Sequence, residues 1–303
     1  MRTPSHDHPL IQVGVAGWSY ADWSGRVYPS KKPASFSPLQ YLSQYIDCME
    51  LNSSFYAYPT AKNCSSWVSQ LDHRSLSFTV KLHRDFTHAH EPWSSPKQFD
   101  RHANAFLEEL EPLRVAGRLR LLLVQFPFSF ARTRENRARL DQIALAFSSE
   151  KLVVELRHRS WFEPQVLDRF AARSISIATL DMPTASDHPP QHHQSTGAIG
   201  YLRLHGRNAE HWFRAESTRN QRYDYLYTAQ ELDDQAATAR KLEETHDEVY
   251  VITNNHFEGQ AVANALQLRA RLTGQKPKAP AVLRNAFPHL CVETELDGPA
   301  ELF

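Results

Sequence analysis

The stretch GYLRLHG, residues 200–206, alternates polar and apolar side chains in the way that a β-strand does. Successive side chains of a strand point to opposite faces, so Tyr201, Arg203 and His205 share one face and two leucines share the other. This pattern fits a strand of a half-exposed antiparallel sheet. It also fits a barrel strand whose interior end carries charged groups, and the rest of the chain decides between the two.

Seven further strand-like runs lie along the chain, separated by longer stretches with helical periodicity. The eight predicted strands are IQVGVA from residue 11, DCMELN from 47, LSFTVKL from 76, RLLLVQF from 120, KLVVELR from 151, ISIATL from 175, IGYLRLH from 199 and EVYVITN from 248. The predicted helices lie near residues 37–46, 61–71, 97–116, 135–147, 163–173, 228–245 and 259–272. Eight strands in β-then-α order predict an α/β fold, a (β/α)8 TIM-barrel-like domain, whose usual length of about 250 residues suits this chain.

Two helices have readable starts, because Ser37 is followed by Pro38 and Ser95 by Pro96. Serine is a favoured N-cap, and proline is favoured at the first helical position. A doubly wound open sheet is the alternative fold. It is disfavoured because no glycine-rich phosphate-binding fingerprint follows the first strand.

The stretch after strand six, MPTASDHPPQHHQSTGA, has no helical periodicity, so the barrel is predicted to be irregular there. We expect the histidines of this loop, which are His188, His192 and His193, to be solvated side chains. Residues 1–10 are predicted to be a flexible N-terminal tail and 11–273 a single barrel domain. Residues 274–303 are predicted to form a C-terminal tail that packs on or beside the barrel.

Composition restricts the class of protein. The chain has 303 residues, with 34 Lys and Arg against 34 Asp and Glu, so no overall field draws it to nucleic acid or to an anionic membrane. Cys48, Cys64 and Cys291 are too few and too scattered for a disulfide framework or a zinc knuckle. With no long apolar run, we expect a reduced, cytoplasmic protein that does not enter the membrane.

Polar residues end seven of the eight predicted strands. They are Glu50, Asn52, Lys81, Gln125, Glu155, Arg157, Asp181, Arg203, His205, Asn254 and Asn255. In TIM barrels the C-terminal ends of the strands build the active site, so these side chains are predicted to converge at one mouth. The alternatives are a functional pocket and a polar plug of internal ion pairs.

We predict acid–base chemistry, because carboxylates, a lysine and a histidine would meet at this mouth. The predicted catalytic residues are Glu50, Lys81, Glu155, Asp181 and His205. The predicted substrate-binding residues are Trp18, Tyr20, Asn52, Tyr56, Gln125, Arg157, Arg203, Asn254 and Asn255. Trp18, Tyr20 and Tyr56 belong to a larger set of loop aromatics expected to ring the mouth, with Trp23, Tyr28, Phe55, Tyr58 and Trp161.

The predicted partner is a small anionic or polyhydroxylated substrate, since arginine suits bidentate binding of carboxylate or phosphate. The reaction would be a hydrolysis, a lyase reaction or an isomerisation, and no organic cofactor is predicted. A non-catalytic ligand-binding module is the alternative from another class. No GxSxG sequence supports nucleophilic serine chemistry.

Two further alternatives remain open. A divalent metal could be held by Glu50, Glu155, Asp181, His205 or His256, although nearby arginines and the absence of HExxH disfavour it. Nucleic acid could be bound through Lys81, Arg84, Arg157 and Arg159, as in barrel proteins that cut damaged DNA, although the balanced charge speaks against it. A metal-dependent phosphodiester hydrolase is the catalytic form of this alternative.

Six ordered motifs also carry a family resemblance. They are VGVAGWSYADWSGRVYP, MELNSSFYAYPT, FTVKLHRDFTH, VVELRHRSWF, YLRLHG and VYVITNNHFEGQAVANAL, which span residues 12–270. Together they resemble the YecE-like family, mostly bacterial proteins treated as a domain of unknown function. The chain departs from the family pattern at Thr253, where an aromatic residue is usual, and at GVAGW in place of Gly-Thr-Ser-Gly-Trp. The resemblance implies a TIM-barrel-like fold in a soluble intracellular protein and supplies no reaction.

Overall fold

The computed structural model describes residues 10–89, 95–190 and 193–298, and within these ranges one sheet of nine strands forms the centre of the molecule. Its strands are β1 (Ile11–Ala16), β2 (Cys48–Leu51), β3 (Ser77–Lys81), β4 (Leu119–Gln125), β5 (Leu152–Glu155), β6 (Ser176–Ile177), β7 (Thr179–Asp181), β8 (Ile199–Leu204) and β9 (Glu248–Thr253). They lie in the order β6-β5-β4-β3-β2-β1-β9-β8-β7, and every pair is parallel.

The two edges of this sheet come from one stretch of chain, because only Ala178 separates β6 from β7. β6 pairs with β5, and β7 pairs with β8, so the sixth predicted strand passes from one neighbour to the other at Ala178. The sheet is therefore a nearly closed barrel. The predicted TIM-barrel-like fold is confirmed. The irregularity was predicted after strand six, and the described part of residues 182–198 indeed contains no helix.

Helices follow most strands on the outside. They are α1 (Pro38–Leu42), α2 (Ala61–Leu71), α3 (Arg84–Thr87), α4 (Pro96–Val115), α5 (Arg134–Ala146), α6 (Pro164–Ala172), α7 (Ala209–Trp212), α8 (Arg219–Arg222), α9 (Ala229–Glu243) and α10 (Gln260–Thr273). The hydroxyls of Ser37 and Ser95 accept the predicted capping hydrogen bonds, at 3.1 and 3.3 Å. The first helix is shorter than predicted, and the described part of residues 182–198 contains no helix.

Two apolar clusters result from the alternation of side chains along the strands. The inner cluster fills the lower part of the barrel with Leu121 and Leu123 of β4 and with Tyr250 of β9. Leu122 and Val124 of β4 face the helices and belong to the outer cluster. Burial of each such leucine or valine contributes about 1.5–3 kcal/mol. The charged residues lie above the inner cluster, at the C-terminal ends of the strands.

Residues 274–298 form regular elements beside the barrel: β10 (Lys278–Ala279), α11 (Ala281–Ala286), α12 (Leu290–Glu293) and β11 (Glu295–Leu296). β10 and β11 pair in parallel, and Leu283 and Leu290 are fully buried. Arg271 of α10 contacts Glu293 of α12 at 2.5 Å. All three cysteines are free, with Cys48 and Cys64 buried and Cys291 exposed. Among the described residues, no helix is both long enough and apolar enough to cross a membrane.

The histidines of the loop after β7 differ from the expectation. His188 is only 8% exposed, because its ring packs against Phe128 at 4.8 Å and near Phe213 at 5.3 Å. His193 is half-buried, with its ring 5.0 Å from that of Phe162. The prediction of a solvated side chain is wrong for His188, whereas His193 keeps part of its surface in solvent. His192 lies outside the described residues.

Gly14 of β1 is required by the close approach of β2. A Cβ at this position would lie 2.0 Å from the carbonyl oxygen of Cys48, which no small shift relieves. We expect Gly14→Ala to lower the free energy of unfolding by about 3 kcal/mol, measured by urea denaturation. Gly117→Ala is the control: it adds a Cβ in open space at φ +66, so the loss should be only about 1 kcal/mol. Equal losses in the two variants would contradict this account of Gly14.

Candidate functional site

A buried ion network occupies the upper part of the barrel. The Arg203 guanidinium donates from Nε to Glu50 Oε2 at 2.8 Å and from Nη2 to Glu50 Oε1 at 2.5 Å. Its Nη1 donates to Glu155 Oε2 at 2.5 Å. The Tyr201 hydroxyl adds a third hydrogen bond to Glu50, at 2.8 Å, and lies 3.0 Å from the hydroxyl of Thr79. All three charged side chains are 2% exposed or less, so one arginine holds two buried carboxylates.

Glu155 has two further basic neighbours. Arg157 donates to its Oε1 from Nε at 2.7 Å, and His205 Nε2 lies 3.7 Å from the same oxygen. Burial acts to raise the pKa of Glu155, but the guanidiniums of Arg203 and Arg157 outweigh it and hold the pKa far below its ordinary value. Glu155 is therefore a permanent carboxylate near neutral pH.

His205 is neutral, because its complete burial lowers its pKa well below the usual range. Asn254 Nδ2 lies 3.0 Å from His205 Nδ1. An amide nitrogen only donates, so Nδ1 accepts and the ring proton is on Nε2. Within the described residues, Nε2 has no hydrogen-bond partner.

Lys81, the last residue of β3, has its Nζ 3.9 Å from the centroid of the Phe55 ring. No described residue makes a hydrogen bond or an ion pair with this amine. Burial lowers the pKa of Lys81 from 10.5 to about 7, and the Arg203 guanidinium acts in the same direction while Glu155 opposes it. Near neutral pH the amine is therefore available in its neutral form.

Lys81, Arg157 and Arg203 line a small polar cavity of about 60 Å³ at the mouth of the barrel, whereas Glu50, Glu155 and His205 do not line it. Its lining residues are Asn52, Tyr56, Lys81, Gln125, Arg157, Arg203, Arg219, Tyr223 and Asn254. Seven of these nine are among the residues predicted from sequence. Three guanidinium groups face two carboxylates here, so the cavity has a positive charge in excess even when Lys81 is neutral.

Arg219 and Tyr223 were not predicted, and both come from residues 207–227, a segment between β8 and α9 that we call the cap. The cap contains α7 and α8, and its Trp212 ring lies 5.9 Å from that of His205. The sequence offered one signal, namely that loops after barrel strands build active sites. It offered no periodicity by which to place particular side chains.

Tyr20 and His256 form a stacked pair beside the cavity, with ring centroids 4.5 Å apart and planes 8° apart. The Tyr20 hydroxyl donates to the Ala16 carbonyl at 2.6 Å, and burial raises the pKa of Tyr20 to about 12. Burial lowers the pKa of His256 to about 3, so this ring is neutral. The Arg219 guanidinium lies 5.9 Å from the Tyr20 ring, which joins the pair to the cap.

Asp181 does not lie in the cavity. Its carboxylate accepts hydrogen bonds from Arg207 Nη2 at 2.7 Å, the Tyr227 hydroxyl at 2.6 Å and the Gln235 amide at 3.1 Å, on the side of the sheet that faces α9. Its neighbour Leu180 belongs instead to the inner cluster. The predicted placement is wrong because the inward face of this strand is the apolar one.

Trp18 and Asn255 also point away from the cavity, contrary to prediction. The Trp18 ring packs edge-on against Trp67 of α2, with centroids 5.5 Å apart. Asn255 follows Asn254 and faces the opposite side, where its Nδ2 donates at 2.8 Å to Asn264 of α10. Both side chains support the fold rather than line the cavity.

Most of the loop aromatic residues that were predicted to surround the mouth pack into the apolar core instead. Trp23, Tyr28 and Trp161 are 2% exposed or less. Tyr56, in contrast, is 60% exposed and lines the cavity. Loop aromatics in this chain mainly anchor the loops.

The side chains considered for a metal are not brought together as a ligand set. Asp181 lies on the other side of the sheet, and the oxygens of Glu50 and Glu155 accept hydrogen bonds from arginines. Across residues 10–89, 95–190 and 193–298, no three His, Cys, Asp or Glu side chains are grouped so that they could hold a metal ion.

Fold and site together define an all-parallel α/β barrel with a buried ion network and a cationic cavity at its mouth. Residues 12–286 match the model of the family described as protein of unknown function DUF72, and the chain belongs to this family, as the YecE-like resemblance implied. The UPF0759 protein YunF of Bacillus subtilis is 30% identical over 273 residues, covering 86% of this chain and 93% of that protein.

Two solved structures support the same assignment. A DUF72 family protein from Thermotoga maritima is 32% identical with a TM-score of 0.76, over 88% of this chain and 100% of that one. A DUF72 family protein from Enterococcus faecalis is 27% identical with a TM-score of 0.74, over 87% and 95% of the two chains. Family membership supports the barrel and leaves the chemistry to be inferred from the site.

The ion network predicts a large effect of a conservative substitution. Arg203→Lys replaces a planar fork by a point charge, which cannot hold both carboxylates of Glu50 and Glu155. We expect the free energy of unfolding to fall by about 3–5 kcal/mol, measured by urea denaturation. Arg114→Lys, in an exposed ion pair with Glu111, is the control and should change it by less than about 0.5 kcal/mol. A loss as small as the control's would show that the network does not need the guanidinium.

The lowered pKa of Lys81 predicts a pH dependence of stability. Between pH 7 and about 10.5 the unfolded chain binds a proton at Lys81 that the folded chain does not, so stability should rise with pH in this window. The rise should be at most about 1.4 kcal/mol per pH unit. In Lys81→Met this contribution is absent, so the difference in unfolding free energy between wild type and variant should change with pH. For the exposed Lys31→Met the difference should stay flat, and a flat difference for Lys81→Met would contradict the lowered pKa.

Proposed function

We propose that this barrel is an enzyme that binds a small anionic substrate in the cavity at its mouth and moves a proton with Lys81. One observation carries the proposal: an amine whose pKa is about 7 shares a small cavity with three guanidinium groups. A general base is most effective when its pKa lies near the working pH. Guanidinium groups bind carboxylate and phosphate in bidentate geometry.

Binding is assigned to the arginines. Arg157 is half-buried and Arg219 is exposed at the entrance, so an anion reaching the cavity meets Arg219 first. Arg203 is already engaged by two carboxylates and supplies a fixed positive charge beneath. A ligand oxygen that contacts Arg157 gains a charge-assisted hydrogen bond in a site largely closed to water.

Proton transfer is assigned to Lys81. His205 is fully buried and does not line the cavity, so it is assigned a supporting role beside Glu155. Glu50 and Glu155 were predicted to be catalytic acids or bases, and the proposal gives them another role. Both are locked in the ion network, and the pKa of Glu155 is too low for proton exchange near neutral pH. Their role is to hold the Arg203 and Arg157 guanidiniums in place.

The clustering of the basic groups favours a small molecule over nucleic acid. The cavity of about 60 Å³ gathers three guanidinium groups at one point, which suits a single carboxylate or phosphate group. A nucleic acid presents a row of phosphates and is bound through basic groups spread along a surface.

Anion binding should appear as a shift of the thermal midpoint. Sulfate at about ten times its dissociation constant should raise the Tm by roughly 3 °C compared with chloride at the same ionic strength. Arg157→Gln should lose most of this shift, because it removes a charge from the cavity. Arg137→Gln, at an exposed position of α5, is the matched control and should keep it. Equal shifts in the two variants would place anion binding outside the cavity.

Turnover separates an enzyme from a binding module. Small carboxylates and phosphates that stabilise the protein are the compounds to screen for conversion. For a compound that is converted, the rate should increase with pH, with a midpoint near pH 7. The activity should be lost in Lys81→Met. Stabilisation by many such compounds without conversion of any would favour the binding module.

A further inference from the structure

We propose that Lys81 is a covalent nucleophile, whose amine forms a Schiff base with a small ketone or aldehyde that carries a carboxylate or phosphate group. This inference rests on the proposed function, since it uses the same cavity and the same anion-binding arginines. It goes further by naming the bond that is made and the carbonyl class of the substrate.

The surroundings of the amine support a nucleophile. One side of Nζ faces the Phe55 ring at 3.9 Å, and the other side opens on the cavity. No carboxylate among the described residues contacts it, whereas Lys151, at the opposite end of the barrel, is paired with Glu248. Desolvation and neighbouring cations are the two conditions that activate a lysine toward carbonyl compounds. Lys81 has both, because Arg203 and Arg157 lie beside it.

The arginines determine which carbonyl compounds are suitable. The amine and the guanidiniums line one cavity of about 60 Å³, so an anion bound to Arg157 has its neighbouring atoms close to Nζ. A carbonyl one or two bonds from the anionic group is therefore presented to the amine. This geometry favours compounds of about three or four carbon or phosphorus atoms over long or neutral ones.

Polar groups are available for the oxygen that develops during addition. The side-chain amides of Gln125 and Asn254 and the hydroxyl of Tyr223 line the same cavity. The Tyr223 hydroxyl and the second amide hydrogen of Asn254 can donate to an alkoxide or a hydroxyl group. Gln125 Nε2 already donates to the Phe126 carbonyl at 2.9 Å, so this side chain contributes polarity to the lining. None of the three is a charged carboxylate that would repel the anionic substrate.

The chemistry balances without an added cofactor. The neutral amine attacks the carbonyl carbon, a carbon–nitrogen bond forms, and a proton moves from nitrogen to oxygen to give a carbinolamine. The hydroxyl then leaves as water after taking up one proton from solvent, and the product is a protonated imine. The positive charge of the imine draws electrons from the adjacent carbon and so promotes loss of a proton or cleavage of a bond there.

Trapping with borohydride tests the proposal, because hydride reduces an imine to a stable secondary amine. The full-length protein is incubated at pH 8 with pyruvate or dihydroxyacetone phosphate, treated with sodium borohydride, digested and analysed by mass spectrometry. Acetone and dihydroxyacetone, which lack the anionic group, are the matched neutral probes. At pH 8 Lys81 should be mostly neutral and an ordinary lysine less than about 1% neutral.

We expect at least one anionic probe to label Lys81 at least about tenfold more than the exposed Lys31 and Lys97, with much weaker labelling by its neutral counterpart. Labelling should fall at least about tenfold in Arg157→Gln, whose folding is checked by its thermal midpoint. In Lys81→Arg, labelling at residue 81 should be absent.

Two negative results separate the two proposals. If sulfate still raises the Tm through Arg157 but no probe labels Lys81 above Lys31, the Schiff base is overturned and the anion-binding enzyme stands. If neither sulfate stabilisation nor labelling occurs, both proposals fail. Equal labelling by anionic and neutral probes would overturn the assignment of an anionic substrate.

Discussion

The mouth of the barrel depends on one buried guanidinium, that of Arg203, which joins strands that are not neighbours in the sheet. Arg203 lies on β8, while its partners Glu50 and Glu155 lie on β2 and β5. Removing each ion from water costs several kcal/mol, so a buried network is tolerated only when its hydrogen bonds are complete. Such a network adds little net stability. Its effect is to fix the positions of charged groups above an apolar core.

Different protonation states follow from this one arrangement. Glu155 stays ionised because the guanidiniums of Arg203 and Arg157 lower its pKa, and the same guanidiniums disfavour further positive charge nearby. The pKa values of His205 and Lys81 are lowered, because both groups are desolvated and both lie close to Arg203. The result is a neutral histidine and an amine that is readily deprotonated, within a cavity that remains positive. Binding an anion and offering a neutral nitrogen are thus two consequences of the same ion network.

Sequence predicted the part of the site that strand alternation controls. Arg203 and His205 could be placed at the mouth because their leucine neighbours identify the outward face of β8. The same rule failed for Asp181, since it assumed that a polar residue late in a strand points inward. Only the packed barrel shows that Leu180 fills the lumen there. Alternation shows which residues of a strand share a face. Whether that face points into the barrel or toward the helices depends on tertiary packing.

Residues outside regular elements could not be placed by the same rule. Arg219 and Tyr223 reach the cavity because the cap folds back over the mouth, and that path depends on contacts far apart in sequence. Trp18 was assigned to the mouth because it follows β1, but its ring has an apolar partner in Trp67 on the outside of the barrel. An aromatic residue in a loop can pack in the core or line a cavity, so the residue type alone does not predict its location.

The Asp181 carboxylate connects the sheet to the cap. Arg207, at the start of the cap, and Tyr227, at its end, both donate to this carboxylate. The Gly206 amide donates in turn to the Tyr227 hydroxyl at 2.9 Å, so the two ends of the cap are held together at one point. The middle of the cap is held by further contacts, since the Tyr223 ring lies 5.1 Å from that of His256. Asp181 therefore acts on the cavity from a distance, because it holds the segment that brings Arg219 and Tyr223 to the mouth.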